Sequence, residues 1–574
     1  MLWRSPFQTL AASAAVATLL QTAALAAPLH EPLPLNSTEQ NGTPQILKSH
    51  QGLHIAAPAQ PAGQTKIVTG KRRPYSGTPI DVLNYHYDAY PTGWNQSETD
   101  LTPTTVASAN FGQLTTLNVD GNVFAQPLLV SNYVLPDGTT HNILIVATGH
   151  DSVYAFDEET YAVLWQVSLG KSQPTNDVGC GDVKPEYGIS STPVIVRTAP
   201  NAATLYVVAA TEPAHLSFHT QLHALNVSTG ADLMTPVEID PKAKLETGGK
   251  IGFDPQNQWN RASLVYANNS IYMGIGSHCD NNAGAISGWV LKYGTDLTLQ
   301  AKFHTIEAAA GYELASVWMA GFAPAVDSNG NLFVVTGNGN YNLDKGAKGY
   351  GESVLHLSSD LKLQDTFTPS DYQNLNNGDV DFGSGGIMLL PAVQGQLAPP
   401  MAVAMGKAST LYLLNQTQLG GLQGAHKNKG PLQVLNVGGG GVWGGPAYYT
   451  GPSGGLVYYQ TGGDVLRAYS VSTGATPSLT DVADGTSGAG YGGSLPIISS
   501  NGGTAGTGVA WIIHRGTTVA LEAYDAVNMG SPLFSANAGS WDNGNGNSFL
   551  TAMEANGRVY VPAYKTVTVF GLTQ

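Results

Sequence analysis

A four-stranded pattern recurs eight times along the chain, and no other feature restricts its fold as strongly. Each unit has a Gly/Ser-rich loop, an apolar strand that often contains Pro, and further Val/Ile/Tyr-rich strands separated by turns. The inner strands recur about every 60 residues, and a fixed period of this length in an all-β chain is typical of a propeller. They are marked by Pro127, Pro193, Ala262, Pro324, Gly386, Pro446, Pro496 and Thr551. We therefore predict an all-β protein, a closed eight-bladed β-propeller, over residues 79–574.

The last unit, Phe549–Leu572, has room for only three strands. The segment Gln113–Asp120 precedes the first inner strand and belongs to no unit of its own. We expect this segment to supply the fourth strand of the last blade, because that arrangement closes the ring and leaves no free sheet edge. An array of β-sandwiches is the alternative. It is disfavoured because sandwich strands would not recur with one Pro-marked inner strand per unit.

Composition excludes several other classes of protein. Only 11% of the residues are charged, whereas long amphipathic helices need charged outer faces, so helical bundles and α-solenoids are disfavoured. The net charge of −15 argues against binding to a phosphate backbone, so no nucleic-acid partner is predicted. The 69 glycines instead indicate sheets joined by many turns.

The first residues have the composition of an export signal. Arg4 supplies a positive charge, an apolar stretch runs from Leu10 to Leu20, and Ala24-Leu25-Ala26 matches a cleavage site. We predict a signal peptide over 1–26, a disordered leader over 27–78, and a secreted or periplasmic location. A membrane anchor is the alternative for the first segment, and no other stretch is long enough to predict a membrane span.

Several turns carry a motif of pyrroloquinoline quinone (PQQ) enzymes, A-x-D-x-x-T-G-x-x-x-W. The longest copy is Ala155–Trp165, and shorter copies are Ala224–Gly230, Ala468–Gly474 and Ala523–Asn528. The chain therefore resembles secreted PQQ-repeat-like propellers of the quinoprotein alcohol dehydrogenase-like superfamily. The resemblance implies an eight-bladed propeller with PQQ and Ca²⁺ as cofactors. The closing Trp is kept only at Trp165, and the adjacent cysteine pair common in these enzymes is missing.

In a propeller, the loops that enter the inner strands and the loops between second and third strands share one face. Here the entry loops are Gly-rich and carry Trp259, Trp318, Trp443 and Trp541, which are candidates to stack on a flat cofactor or a sugar. Aromatics that fill gaps between blades are the alternative. Arg261 begins an inner strand, and it is a candidate to pair with an anionic cofactor or to form a structural salt bridge.

Acidic and amide side chains cluster on the same loops. Asp182, Glu186 and Arg261 are the candidate catalytic residues. Asp379, Asp381, Asp542 and Asn543 are candidate ligands of a hard cation such as Ca²⁺, although turn chemistry also explains such runs.

Cys180 and Cys279 lie on this face too, either as one disulfide or as two buried thiols. The chain contains no C-x-x-C-H motif, so no haem is predicted.

Three functions are compatible with the sequence. The first is an exported propeller whose axial mouth binds a small molecule, a glycan or an extracellular protein without catalysis. The second is a PQQ- and Ca²⁺-dependent dehydrogenase that takes a hydride from an alcohol or a sugar, with a carboxylate as base. The third is another extracellular carbohydrate-active enzyme.

Overall fold

Eight antiparallel sheets of four strands form the body of the protein in the computed structural model. The structure describes residues 66–245, 248–281, 286–306, 314–346, 348–393, 395–426, 429–542 and 549–574. The predicted signal peptide and most of the predicted leader lie outside the described residues. We number the sheets as blades 1–8 in chain order.

The strands of each blade run outward from the axis in sequence order. The first, innermost strands are Leu128–Val134, Val194–Ala199, Val265–Ala267, Ala325–Val326, Ile387–Leu389, Ala447–Gly451, Ile497–Ser499 and Met553–Ala555. The second strands are Thr140–Ala147, Ala202–Ala214, Ser270–Ser277, Leu332–Val335, Met401–Ala404, Gly454–Tyr459, Val509–Arg515 and Arg558–Pro562. The third strands are Ser152–Asp157, Ser217–Asn226, Trp289–Gly294, Val354–Leu357, Thr410–Asn415, Val465–Ser472, Thr518–Asp525 and Tyr564–Leu572. The outer strands are Val163–Ser168, Val237–Glu238, Leu299–His304, Leu363–Thr368, Gln433–Asn436, Ser478–Gly488, Phe534–Ser540 and Phe111–Asn122.

The last of these outer strands comes from the beginning of the fold. Phe111–Asn122 pairs antiparallel with Tyr564–Leu572 and completes blade 8. The prediction of an eight-bladed propeller closed by an early strand is therefore confirmed. Closure gives the third strand of blade 8 a partner on each side, as in the other seven blades.

The middle strands are apolar at consecutive positions, not at alternate ones. In blade 1, Ile143, Leu144, Ile145 and Val146 are all buried. Both faces of a blade pack against neighbouring blades, so side chains on either side of the strand leave water. The innermost strands crowd at the axis instead: a Cβ on Gly386 would lie 2.1 Å from the Phe322 ring.

Few elements lie outside the blades. The helices are Pro103–Val106, Thr175–Val178 and Tyr372–Asn377, and the 3₁₀ helices are Met319–Gly321, Leu343–Lys345 and Phe382–Ser384. The additional short strands are Trp94–Asn95, Gln173–Pro174, Glu186–Tyr187, Lys242–Lys244, Lys250–Gly252, Gln258–Trp259 and Gly421–Leu422. Among the described residues, no helix is long and apolar enough to cross a membrane.

The segment before the first blade contacts blade 8 first and then runs along innermost strands of other blades. Within the described part of the predicted leader, Ile67 forms a bridge with Gln113, and Arg72 forms one with Thr573. Farther along, Trp94–Asn95 runs parallel to Ile498–Ser499 of blade 7.

A pair of buried glutamates lies under the same segment. Glu98 accepts backbone hydrogen bonds from Leu101 and from Gly557 of blade 8. Its side chain is hydrogen-bonded to that of Glu554, which also accepts a bond of 2.7 Å from Asn95 Nδ2. Burial, together with the charge of Glu98, raises the pKa of Glu554 well above its ordinary value. The carboxyl group of Glu554 is therefore protonated more readily than that of an ordinary glutamate.

The retained motif tryptophan joins blades 1 and 2. Trp165 Nε1 donates to the carbonyl of Val227 at 2.9 Å, and its ring lies over Gly230, where a Cβ would come within 2.5 Å of the indole. Gly230 has φ +73°, which also favours glycine.

Candidate functional site

The candidate site lies on one face of the ring, which we call the mouth face. It carries the loops that enter the inner strands and the loops between second and third strands. The Cys180–Cys279 disulfide spans it, joining the entry loop of blade 2 to a loop of blade 3. Of the two interpretations of these cysteines, the disulfide is thus the one the structure contains.

Four carboxyl groups meet where blades 3, 4 and 5 adjoin on the mouth face. We call Asp280, Glu352, Asp379 and Asp381 the acidic cluster. Lys407, in a loop of blade 5, enters it: its Nζ lies 2.5 Å from Asp381 Oδ2 and 3.1 Å from Asp379 Oδ1. Lys407 and Asp381 are almost fully buried, whereas the Asp379 side chain is 52% exposed. Asp379 is therefore the carboxylate that a ligand at the mouth reaches first.

Asn338 contacts three of the four carboxyl groups in the acidic cluster. Its Nδ2 donates to Asp379 Oδ1 at 2.7 Å and lies 3.4 Å from Asp280 Oδ2, while its backbone N–H donates to Asp381 Oδ1 at 2.7 Å. Its amide oxygen is buried, yet it has no hydrogen-bond partner in the part of the chain that the structure describes. A buried acceptor without a donor is costly, and a bound cation would satisfy it.

The pKa values of the acidic cluster indicate that Lys407 compensates only part of its negative charge. Burial and the neighbouring charge of Asp381 raise the pKa of Asp280 to about 7, and the same two causes raise the pKa of Glu352. Burial likewise raises the pKa of Asp379. At Asp381 burial acts in the same direction, but the Lys407 ammonium outweighs it and holds the pKa below its ordinary value. The lysine thus compensates one carboxylate well and leaves the others poorly compensated.

Glycines in the adjoining loops let these groups approach each other. A Cβ on Gly337 would lie 2.3 Å from Asp381 Oδ1, so this carboxylate sits directly against the backbone of blade 4. Glu352 is fully buried, and its Oε2 accepts the backbone N–H of Phe382 at 2.6 Å. Its Oε1 has no hydrogen-bond partner in the described ranges.

Aromatic side chains border the acidic cluster. Lys407 Nζ lies 5.9 Å from the ring centroid of Trp318 and 5.8 Å from that of Trp443. Trp443 is buried against Tyr491 and Phe549, at centroid distances of 4.8 and 6.0 Å. Two of the four predicted tryptophans therefore flank the predicted ligands Asp379 and Asp381.

The other two predicted tryptophans have different neighbours. Trp259 packs against Tyr187 and His278 near the disulfide, and Trp541 packs edge-on against Phe124. Both indoles are buried, and neither Nε1 has a hydrogen-bond partner within the described part of the chain.

Arg261 lies at the centre of the ring. Its guanidinium donates to the carbonyls of Ser190, at 2.6 Å, and Phe549, at 3.1 Å, and it packs against Gly321. Burial lowers its pKa to about 10. These contacts join loops of blades 2, 3, 4 and 8 through backbone carbonyls.

The remaining predicted site residues are spread over the mouth face. Asp182 lies beside the disulfide, and Glu186 bonds His150 at 2.9 Å. Asp542 is exposed, and Asn543 lies outside the described residues. A separate group on blade 2, formed by Asp177, Glu212 and His215, places its potential ligand atoms within 4.8 Å of one another.

Lys407 and Glu352 are the functional candidates that sequence reasoning missed. A signal for Lys407 was present: in a chain with few charges, it follows a glycine in a loop between the second and third strands of its blade. Glu352 occupies the corresponding loop of blade 4, but nothing in the sequence indicates that its carboxyl group faces Asp381.

Solved structures provide the comparison. Quinohemoprotein alcohol dehydrogenase from Comamonas testosteroni superposes with a TM-score of 0.55 at 14% identity, over 88% of this chain and 83% of that chain. The chain has the fold of the quinoprotein alcohol dehydrogenases. A europium-containing methanol dehydrogenase matches this quinoprotein fold with a TM-score of 0.52 at 12% identity, over 85% of this chain and 91% of that one. A quinohemoprotein alcohol dehydrogenase from Pseudomonas putida HK5 superposes with a TM-score of 0.53 at 12% identity, over 86% of this chain and 80% of that chain. No protein-family model and no curated protein sequence matches the chain.

The residues at the mouth face fit a hard cation and offer one aromatic face to a planar cofactor. Carboxylate oxygens and the unpartnered Asn338 oxygen are the ligands that a hard cation prefers. The half-buried Trp318 offers the aromatic face, and Lys407 beside it is buried and paired with Asp379 and Asp381.

Proposed function

We propose that the chain is an exported oxidoreductase of the quinoprotein type, which oxidises a hydroxyl group at the mouth face with PQQ and a hard cation. One observation carries the proposal: four carboxyl groups and an amide oxygen without a partner converge beside an aromatic surface. The disulfide supports an oxidising compartment.

The acidic cluster would hold the cation through Asp280, Asp379 and the Asn338 oxygen, while the half-buried Trp318 would stack on the quinone. When bound, PQQ supplies a two-electron acceptor for hydride, and the cation polarises oxygen atoms. The chain's own residues must then position the alcohol and remove its proton.

Asp379 is the proposed base. It is half exposed, so it is accessible to a hydroxyl group, and its raised pKa brings it closer to working pH than an ordinary aspartate. Lys407, through its 3.1 Å contact with Oδ1, fixes the orientation of this carboxylate. Asp381 is buried and paired with the same lysine, so it serves to hold Lys407 in place.

The first test is cation binding by protein stripped of metal. Eu³⁺ is a suitable probe because its luminescence reports coordination, and Ca²⁺ is then added as competitor. We expect one tight site in the wild type that is weakened strongly by Asp379→Asn or Asp280→Asn. His215→Ala is the matched control, since it disables the separate group on blade 2. Loss of the site in His215→Ala, with retention in Asp379→Asn, would move the cation to blade 2 and reject the proposal.

The second test is dye-linked oxidation of primary, secondary and sugar alcohols after loading with PQQ and cation. At a cation concentration that saturates the variant, we expect Asp379→Asn to lower kcat by about 10²–10⁴-fold, the usual contribution of a general base, while PQQ binding is retained. A protein that binds cation but neither binds PQQ nor oxidises any alcohol is a binding propeller, and that outcome would refute the enzymatic function.

A further inference from the structure

We propose that a polar cavity beside the acidic cluster binds a neutral saccharide. The cavity has a volume of about 290 Å³, near the lower end of the range for small-molecule sites. It lies between a loop of blade 4 and the helix Tyr372–Asn377, which belongs to the entry loop of blade 5. Its lining residues are Gly339, Asn340, Tyr341, Asn342, Tyr372, Gln373, Asn376 and Asn377.

The lining matches a sugar better than other small ligands. Two tyrosine rings, Tyr341 and Tyr372, meet there with centroids 4.8 Å apart and planes at 59°. Their faces suit the C–H surface of a sugar ring, and the surrounding amides offer both donors and acceptors to its hydroxyl groups. None of the eight lining residues carries a charge, so an anionic ligand such as PQQ finds no counter-ion in the lining.

Asn342 forms part of the cavity wall and does not face the cavity. Its side chain is buried, and neither Oδ1 nor Nδ2 is open to solvent. The tyrosine rings and the other amides of the lining would therefore make the contacts with a ligand.

The cavity also lies beside the proposed reaction centre. Asn376 Oδ1 accepts the backbone N–H of Gly339 at 2.5 Å, and Gly339 directly follows Asn338, which donates to Asp379. The cavity wall is therefore continuous with the loop that carries Asn338. The role of a bound saccharide as substrate rests on the proposed dehydrogenase function, whereas its binding does not.

The test is saturation-transfer NMR on metal-free protein in the presence of a chelator, with glucose, galactose and maltose as probes. Glucuronate and cyclohexanol serve as charged and apolar comparison ligands. We expect millimolar or tighter binding of at least one neutral sugar, weakened at least tenfold in Tyr372→Ala and in Gln373→Ala. Tyr266→Ala, at a half-buried tyrosine in the first strand of blade 3, is the matched control and should bind as the wild type does.

Three outcomes would overturn the proposal: no binding of any neutral sugar, equal affinity in the wild type and both cavity variants, or stronger binding of glucuronate or cyclohexanol. Both variants should fold, since the Tyr372 ring is half exposed and Gln373 is exposed. Sugar binding that depends on Tyr372 without oxidation after PQQ and cation are added would uphold the cavity and reject the dehydrogenase function.

Discussion

Lys407 Nζ lies 2.5 Å from Asp381 Oδ2, and both side chains are almost completely removed from water. Burying two charges is costly, and the attraction between them offsets that cost only when further hydrogen bonds satisfy both groups. Here Asp379 and the backbone N–H of Asn338 supply those bonds. The ion pair is therefore one part of a network, and removing one member leaves the others uncompensated.

Replacement of Lys407 tests whether the buried carboxylates depend on this ion-pair network. We expect Lys407→Ala to lower the free energy of unfolding by about 3–5 kcal/mol, because it leaves buried carboxylates without their counter-ion. Urea denaturation measures the loss, and added Ca²⁺ should restore part of it. Lys292→Ala is the control, since Lys292 pairs with the exposed Asp360 and its loss should cost much less. Equal losses in the two variants would contradict the network.

Cation binding at the acidic cluster should depend on pH. The pKa of Glu352 is raised, and that of Asp280 is raised to about 7, so the Asp280 carboxyl group is increasingly protonated as the pH falls through 7. A cation binds the deprotonated carboxylates and must displace this proton below that pH. Eu³⁺ affinity should therefore fall when the pH is lowered from about 8 to about 6. A pH-independent affinity over this range would place the cation elsewhere.

The repeating pattern was sufficient to predict the blades because each unit has its own strands and turns. Closure of the ring by Phe111–Asn122 also followed, since the eighth unit lacked a strand. The site was harder to predict. Asp379 and Asp381 were chosen as ligands from their loop, but their partners Lys407 and Asn338 come from other loops that only the ring geometry brings together. The sugar-sized cavity left no sequence signal, because Asn and Tyr in loops are ordinary turn and surface residues.

The raised pKa of Glu554 predicts a stability that falls as the pH rises. Folding raises the pKa of Glu554, so the folded state binds more protons, and stability declines as the pH rises above the pKa of the unfolded chain, about 4.3. Glu554→Gln keeps a neutral hydrogen-bonding group at every pH. We expect this variant to match the wild type near pH 5 and to have the higher melting temperature near pH 8. The same difference at both pH values would show that folding does not raise the pKa of Glu554.

The disulfide on the mouth face should contribute to the stability of the ring. Its cysteines are 99 residues apart, and cross-links across loops of this length typically contribute about 2–5 kcal/mol. The double variant Cys180→Ser/Cys279→Ser should lose that amount in guanidinium denaturation, and reduction of the wild type should reproduce the loss. Unchanged unfolding after either treatment would contradict this role.

The pairing of Phe111–Asn122 with Tyr564–Leu572 also sets an order of events during biosynthesis. The strand that leaves the ribosome before any blade is complete has its partner in a strand that is translated after the first seven blades. Until then its hydrogen-bonding edge has no native partner. A chain truncated before residue 564 would therefore keep an unpaired strand edge, which is able to pair with other chains.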